Sequence, residues 1–271
     1  MSYFNESGRC IPGEGMRVFG PTPSHYYTLV QPELDYGRIL GNAVAAGASF
    51  GNFGADQFKA AAGDLLQTIR SDANYAGLLN GVHVPFVLPK EEATHDLGEH
   101  LEQVLLPRVK GAFNAAFPES HFKAVLQSDS KLADHVTVAE GSRHEGLIDA
   151  ARRGPVVGWY FPQAFQEFDV DSQRRQVQAL PALKGAQSCL SGGMDVCAAL
   201  TGVPGLLINE LAYAPILCLS AYEHADPRMV LVLKSYGPHL EFWCMTQMLT
   251  KTMKQVSEQW AGGLTVFAEI R

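Results

Sequence analysis

The stretch GAQSCLSGGMDVCAAL, Gly185 to Leu200, brings together a thiol, turn glycines and a run of small apolar residues. The glycines permit tight turns and the apolar run predicts a helix, which places Cys189 at a helix start. A thiol there would feel unpaired amides and the positive end of the helix dipole, both of which favour thiolate. A cysteine hydrolase or acyl/amide transferase also needs a histidine as base and then acid, an orienting polar group, and donors for a developing oxyanion. His224 is the expected base, with Asp226 or Asn209 orienting its ring and Gln187 or a local amide meeting the oxyanion. His239, in GPH, is the alternative base. The expected reaction is attack by Cys189 on the carbonyl of a small-molecule or peptide-like substrate, with Trp159, Tyr160 and Arg174 as substrate contacts.

Two rival readings stand beside thiol chemistry. A helix from about Glu91 to Leu106 would carry Glu92, His95 and Glu99 on neighbouring turns of one face, a set able to bind metal if other elements supply further ligands. An acidic, solvated helix face explains the same residues, so neither a metal nor any other cofactor is assigned. The third reading is a non-catalytic protein- or ligand-binding module, because no strong catalytic motif is present and small-residue or Met-rich helices can form partner interfaces, a homo-oligomer's included. His144 and Glu145 adjoin on a predicted helix, point apart, and read as a surface ion interaction. Cys197, Cys218 and Cys244 read as core residues.

The elements needed to position these residues follow from punctuation and periodicity. Residues 1–35 hold PGEG and GPTP and read as an irregular packing segment whose aromatics wrap against the body. Residues 36–271 then read as a single mixed domain. Helices are expected over 36–48, 55–70 and 91–106, again in GSRHEGLIDAARR, after a cap at Asp171 or Ser172, and over 240–260. That last helix rests on Phe242, Met245, Leu249, Met253, Val256 and Trp260, spaced three or four apart. GVHVPFVLP, HFKAVLQ, DHVTV, GPVVGWYFPQ, APILCLSAY, RMVLVLKSY and GGLTVFAEI read as strands. The short link EHADP makes APILCLSAY and RMVLVLKSY an antiparallel pair. The fold class is therefore α/β or α+β, with a mixed sheet, an antiparallel C-terminal strand pair and covering helices.

Composition bounds the rest. With 271 residues, 46% of them hydrophobic, the chain can bury a substantial core. A net charge of −7 without long runs of one sign argues against a broad nucleic-acid surface. The first residues lack the basic and apolar regions of a secretory signal, and no apolar run reaches the roughly 20 residues that span a bilayer. A cytoplasmic, non-membrane protein is expected. Five scattered cysteines without a CxxC pair fit neither a disulfide framework nor a zinc knuckle.

Overall fold

The computed structural model describes residues 2–20, 22–91, 96–126, 131–209, 212–247 and 256–270. In chain order its elements are α1 (Tyr36–Ala45), α2 (Ala55–Ser71), β1 (Val84–Leu88), α3 (Leu97–His100), α4 (Leu106–Ala116), β2 (Phe122–Val125), β3 (Val136–Val138), α5 (His144–Arg153), β4 (Val156–Gln166), α6 (Val170–Ala179), β5 (Gln187–Leu190), α7 (Gly193–Gly202), β6 (Ile216–Cys218), β7 (Tyr222–His224), β8 (Met229–Tyr236), β9 (His239–Thr246) and β10 (Trp260–Glu269). A π-helical turn, Leu101–Leu105, joins α3 to α4.

The fold is mixed α/β. An eight-stranded sheet runs β1-β4-β10-β6-β8-β9-β2, and β5 also pairs with β10. The β10–β6 and β2–β9 pairs are parallel and the remaining pairs of this sheet antiparallel. The expected antiparallel pairing of APILCLSAY with RMVLVLKSY is present as β6–β8. Pro85 lies on β1, an edge strand, where a missing N–H is tolerated. Helices α1, α4 and α7 pack together beside β1, while α2 lies on β4 and α5 and α6 lie on β5.

Strand β10 organises the sheet. One edge pairs with β4 nearly end to end, while the other meets β6 at Trp260–Gly262 and β5 at Leu264–Phe267. A bulge at Gly262–Leu264 marks the change of partner. Glycine is required there, since a Cβ at Gly263 would collide with the Tyr160 ring and crowd the Ser191 hydroxyl.

Three sequence expectations are corrected. Residues 239–246 form strand β9 rather than the start of a helix, and β10 already begins at Trp260; residues 248–255 lie outside the described residues. Leu240, Phe242 and Cys244 are buried while Glu241, Trp243 and Met245 between them are half-buried, a period of two. The cap of α6 is Asp169, whose carboxylate accepts from the Ser172 amide at 2.7 Å, not Asp171 or Ser172. Cys189 lies inside β5, and α7 begins only at Gly193. Residues 2–20 and 22–35 contain no helix or strand, only isolated bridges such as Phe4–Cys10 and Val18–Phe168, yet Phe4, Cys10 and Leu29 join the main core.

Candidate functional site

The β5–β10 ladder sets Thr265 directly opposite Cys189. Beyond β5, the chain turns through Ser191 and Gly192 into α7, and Asp195 occupies that helix's third position. Its carboxylate accepts the Gly192 amide at 2.8 Å, satisfying an otherwise orphaned donor at the helix start. The other carboxylate oxygen accepts from the Thr265 hydroxyl. Because Thr265 spends its hydrogen on Asp195, Ser191 donates in the 2.8 Å Ser191–Thr265 bond.

His144 reaches this place from α5. Arg143, at φ 60°, turns the chain sharply into the helix, and its guanidinium ties down the carbonyls of Gln178 and Leu180. The Leu190 amide donates to the Ser142 carbonyl at 2.9 Å, stitching the start of α5 to the end of β5. In return His144 Nδ1 lies 3.1 Å from the Leu190 carbonyl. A carbonyl only accepts, so Nδ1 carries the hydrogen in this bond and the lone pair sits on Nε2.

His144, Cys189 and Asp195 therefore converge. One ligand-type atom from each lies within 4.8 Å of the others, and all three residues are fully buried at 0% exposure. Cys189 Sγ is 3.8 Å from His144 Nδ1. Burial pushes the Cys189 thiol well up, and the Asp195 carboxylate adds to that direction. This reverses the expected lowering by a helix terminus. Around the cluster, His144 Nε2 and the Tyr160 and Tyr222 hydroxyls have no hydrogen-bond partner among the described residues. The Tyr222 hydroxyl faces the Gly193 and Met194 amides without completing a bond, and its ring meets His144 edge-on at 5.4 Å. Burial pushes both phenols up, and Asp195 reinforces the direction.

The paired glycines serve close approach rather than unusual φ. A Cβ at Gly192 would sit 2.8 Å from the His144 ring, and one at Gly193 would sit 2.5 Å from the Tyr222 ring. Two surface cavities of ≈ 460 Å³, one between α1, α4 and the end of α7 and one beside α4 and β2, are lined by none of His144, Cys189 and Asp195.

The histidine that meets Cys189 is not one of those expected. His224, on β7, accepts the Asp226 amide at Nδ1 and stacks on His135, while Asp226 pairs with Arg228, which holds its carboxyl down to about 2. His239 accepts the His121 amide and stacks on that ring at 3.7 Å. Gln187 lies at the exposed start of β5. Trp159 is core, with its indole N–H donating to the Ala62 carbonyl at 2.8 Å. Tyr160 reaches the surroundings of Asp195 from β4. Arg174 bonds the Ser220 and Tyr222 carbonyls and Glu223, and so holds the strand that presents Tyr222. Glu92 and His95 of the expected metal face lie outside the described residues, and Glu99 is exposed.

Local signals for the missed residues do exist. Asp195 stands three residues after Gly192, where an acidic side chain can reach back to the amide before a helix, and His144 shares the apolar face of α5 with Leu147 and Ala151 at intervals of three and four. Neither signal names a partner on another element. A scan of protein-family models found no match, and searches of the curated proteins and of the solved structures likewise found no match.

Proposed function

We propose that this chain is a metalloprotein in which His144, Cys189 and Asp195 hold a divalent cation of the zinc type. The observation that carries this reading is their convergence within 4.8 Å at full burial. Thiolate, imidazole and carboxylate together are a donor set suited to a borderline cation. The Asp195 carboxylate is buried with hydrogen bonds from Gly192 and Thr265 but no ion pair among the described residues, and a buried charge is ordinarily paired or metal-bound. His144 carries a buried lone pair with no donor among the described residues, its ring oriented by a backbone carbonyl in the manner of metal-ligating histidines. Full burial suits an ion taken up as the chain folds.

Metal analysis of the intact protein, with Co²⁺ as an optical probe, tests the reading. One equivalent of bound ion is expected, with a sulfur-to-cobalt charge-transfer band that disappears in Cys189→Ala. At a free ion concentration about 100 times Kd, the ion should add about 2.7 kcal/mol of stability. Protein that holds no ion after refolding with Zn²⁺ or Co²⁺, and melts identically with and without chelator, would refute it.

The 3.8 Å contact between Cys189 and His144 favours a second reading, a cysteine-dependent hydrolase or transferase. Cys189 would attack an acyl or amide carbonyl and pass its proton to His144, which would return it to the leaving group; water or an amine would then release the thioester. For Nδ1 to act as base, its hydrogen must leave the Leu190 carbonyl. Native-state alkylation of Cys189 in metal-free protein would favour this reading, and labelling only upon unfolding would dismiss it.

A further inference from the structure

A second buried polar site lies at the far end of β4. A cavity of ≈ 200 Å³ opens between the N-terminal segment and residues 166–168. Two of its lining residues carry opposite charge. Arg9 is 6% exposed and Glu167 4%, and Arg9 Nη1 donates to Glu167 Oε1 at 2.9 Å. The same oxygen accepts the Ser24 amide at 2.6 Å. The other guanidinium donors have no partner among the described residues.

An ion pair so placed is not explained by stability alone, because burying two charges costs about as much as their attraction returns. Its backbone is also unusual. Glu167 stands at φ 73°, a left-handed conformation that non-glycine residues rarely adopt and that recurs at ligand sites. The Phe19 amide donates to its carbonyl at 2.9 Å, so the N-terminal segment and the carboxylate are held as one unit. Ile11, Pro12, Val18, Pro23 and Phe168 supply apolar walls.

We propose that this cavity binds a small α-amino acid, its carboxylate on the Arg9 guanidinium and its ammonium on the Glu167 carboxylate, with a short apolar side chain against the walls. Guanidinium and carboxylate stand a hydrogen bond apart, as do the two charges of a zwitterion. A dianion such as phosphate would be repelled by Glu167, and a simple amine would be repelled by Arg9.

The test is amide-resolved NMR titration of the intact protein with glycine, L-alanine and L-valine, with acetate and methylamine as half-ligands. Saturable shifts at Arg9, Gly20 and Ser24 are expected for the amino acids, with each half-ligand at least about tenfold weaker. Glu167→Gln keeps an acceptor for Ser24; it should weaken alanine by about tenfold while acetate, freed from the repulsion of the Glu167 carboxylate, binds no more weakly than before. Arg9→Gln should abolish both. Absence of saturation by all three amino acids, acetate binding as tightly as alanine, or unchanged alanine affinity in Glu167→Gln would each overturn the proposal. If Arg9→Gln does not fold, the half-ligands and Glu167→Gln still decide it.

Discussion

At the scale of single residues, the cluster depends on side chains pressed closer than any additional atom allows. Gly192 is the clearest instance, because a methyl group there would meet the His144 ring at 2.8 Å and the Tyr222 ring at 2.9 Å. Neither ring can retreat easily, since His144 is tied to the Leu190 carbonyl and Tyr222 is buried. Gly192→Ala should therefore destabilise the fold by about 1–3 kcal/mol, the usual range for overpacking. Urea unfolding measures this, and an unchanged midpoint would show that the rings have room to move. Asp195→Asn should also destabilise by about 1–3 kcal/mol, because an amide nitrogen cannot accept the Thr265 hydrogen. Thr265→Val should cost at least as much, because it removes the same bond, takes the acceptor from Ser191 and leaves a buried carboxylate oxygen without its donor.

At the scale of elements, polar contacts decide how helices meet strands. Glu91, just beyond β1, lies 3.0 Å from Arg108 of α4 and 3.7 Å from His100 of α3. Burial pushes its carboxyl up, but the nearby His100 ring and the hydrogen bond and charge of Arg108 outweigh burial and hold it below the usual glutamate range. A carboxyl depressed in the folded state stabilises fully above its unfolded value of about 4.3. That stability is lost as pH falls through the lower folded value. Glu91→Gln should thus reduce stability at pH 7 and flatten its decline below about pH 4.3, as read by thermal melts across acid pH. Parallel pH profiles for wild type and variant would show that Glu91 does not join these helices electrostatically.

At the scale of the whole molecule, β10 links the two wings of the sheet and carries Thr265 to the cluster. Phe267, fully buried on that strand, stands opposite Gly158 of β4 and Gln187 of β5. Phe267→Ala should cost about 3–5 kcal/mol. It should also loosen the β5 register that sets Cys189 against Thr265, so hydrogen exchange at the Cys189 amide, which alternation along β5 turns toward β10, should quicken together with global destabilisation. A loss confined to global stability, with β5 exchange unchanged relative to the rest of the core, would separate the site from the packing of β10. Among the described residues no helix is long and apolar enough to cross a membrane.

Much of this architecture was legible along the chain because it depends on neighbours in sequence. The apolar spacing of α1, α2 and α5, the alternation and short link of β6 and β8, and the burial of Cys197 and Cys218 all follow from local periodicity. Cys189 was also legible as a place where a thiol meets a glycine turn. Where two periods competed the reading failed, as in 239–246, whose apolar residues satisfy both helical and strand spacing until β8 and β2 pair with β9 on either side. The partners of Cys189 were out of reach for a different reason. His144 stands 45 positions before it and Thr265 76 positions after it, on elements brought together by the β5–β10 ladder, the hydrogen bonds between Ser142, His144 and Leu190, and the packing of α5 on both strands. Residue type marks which side chains can do chemistry, but proximity between distant elements comes from sheet register and packing. Those forces enclosed Cys189 with His144 and Asp195 rather than exposing it at a helix end beside His224.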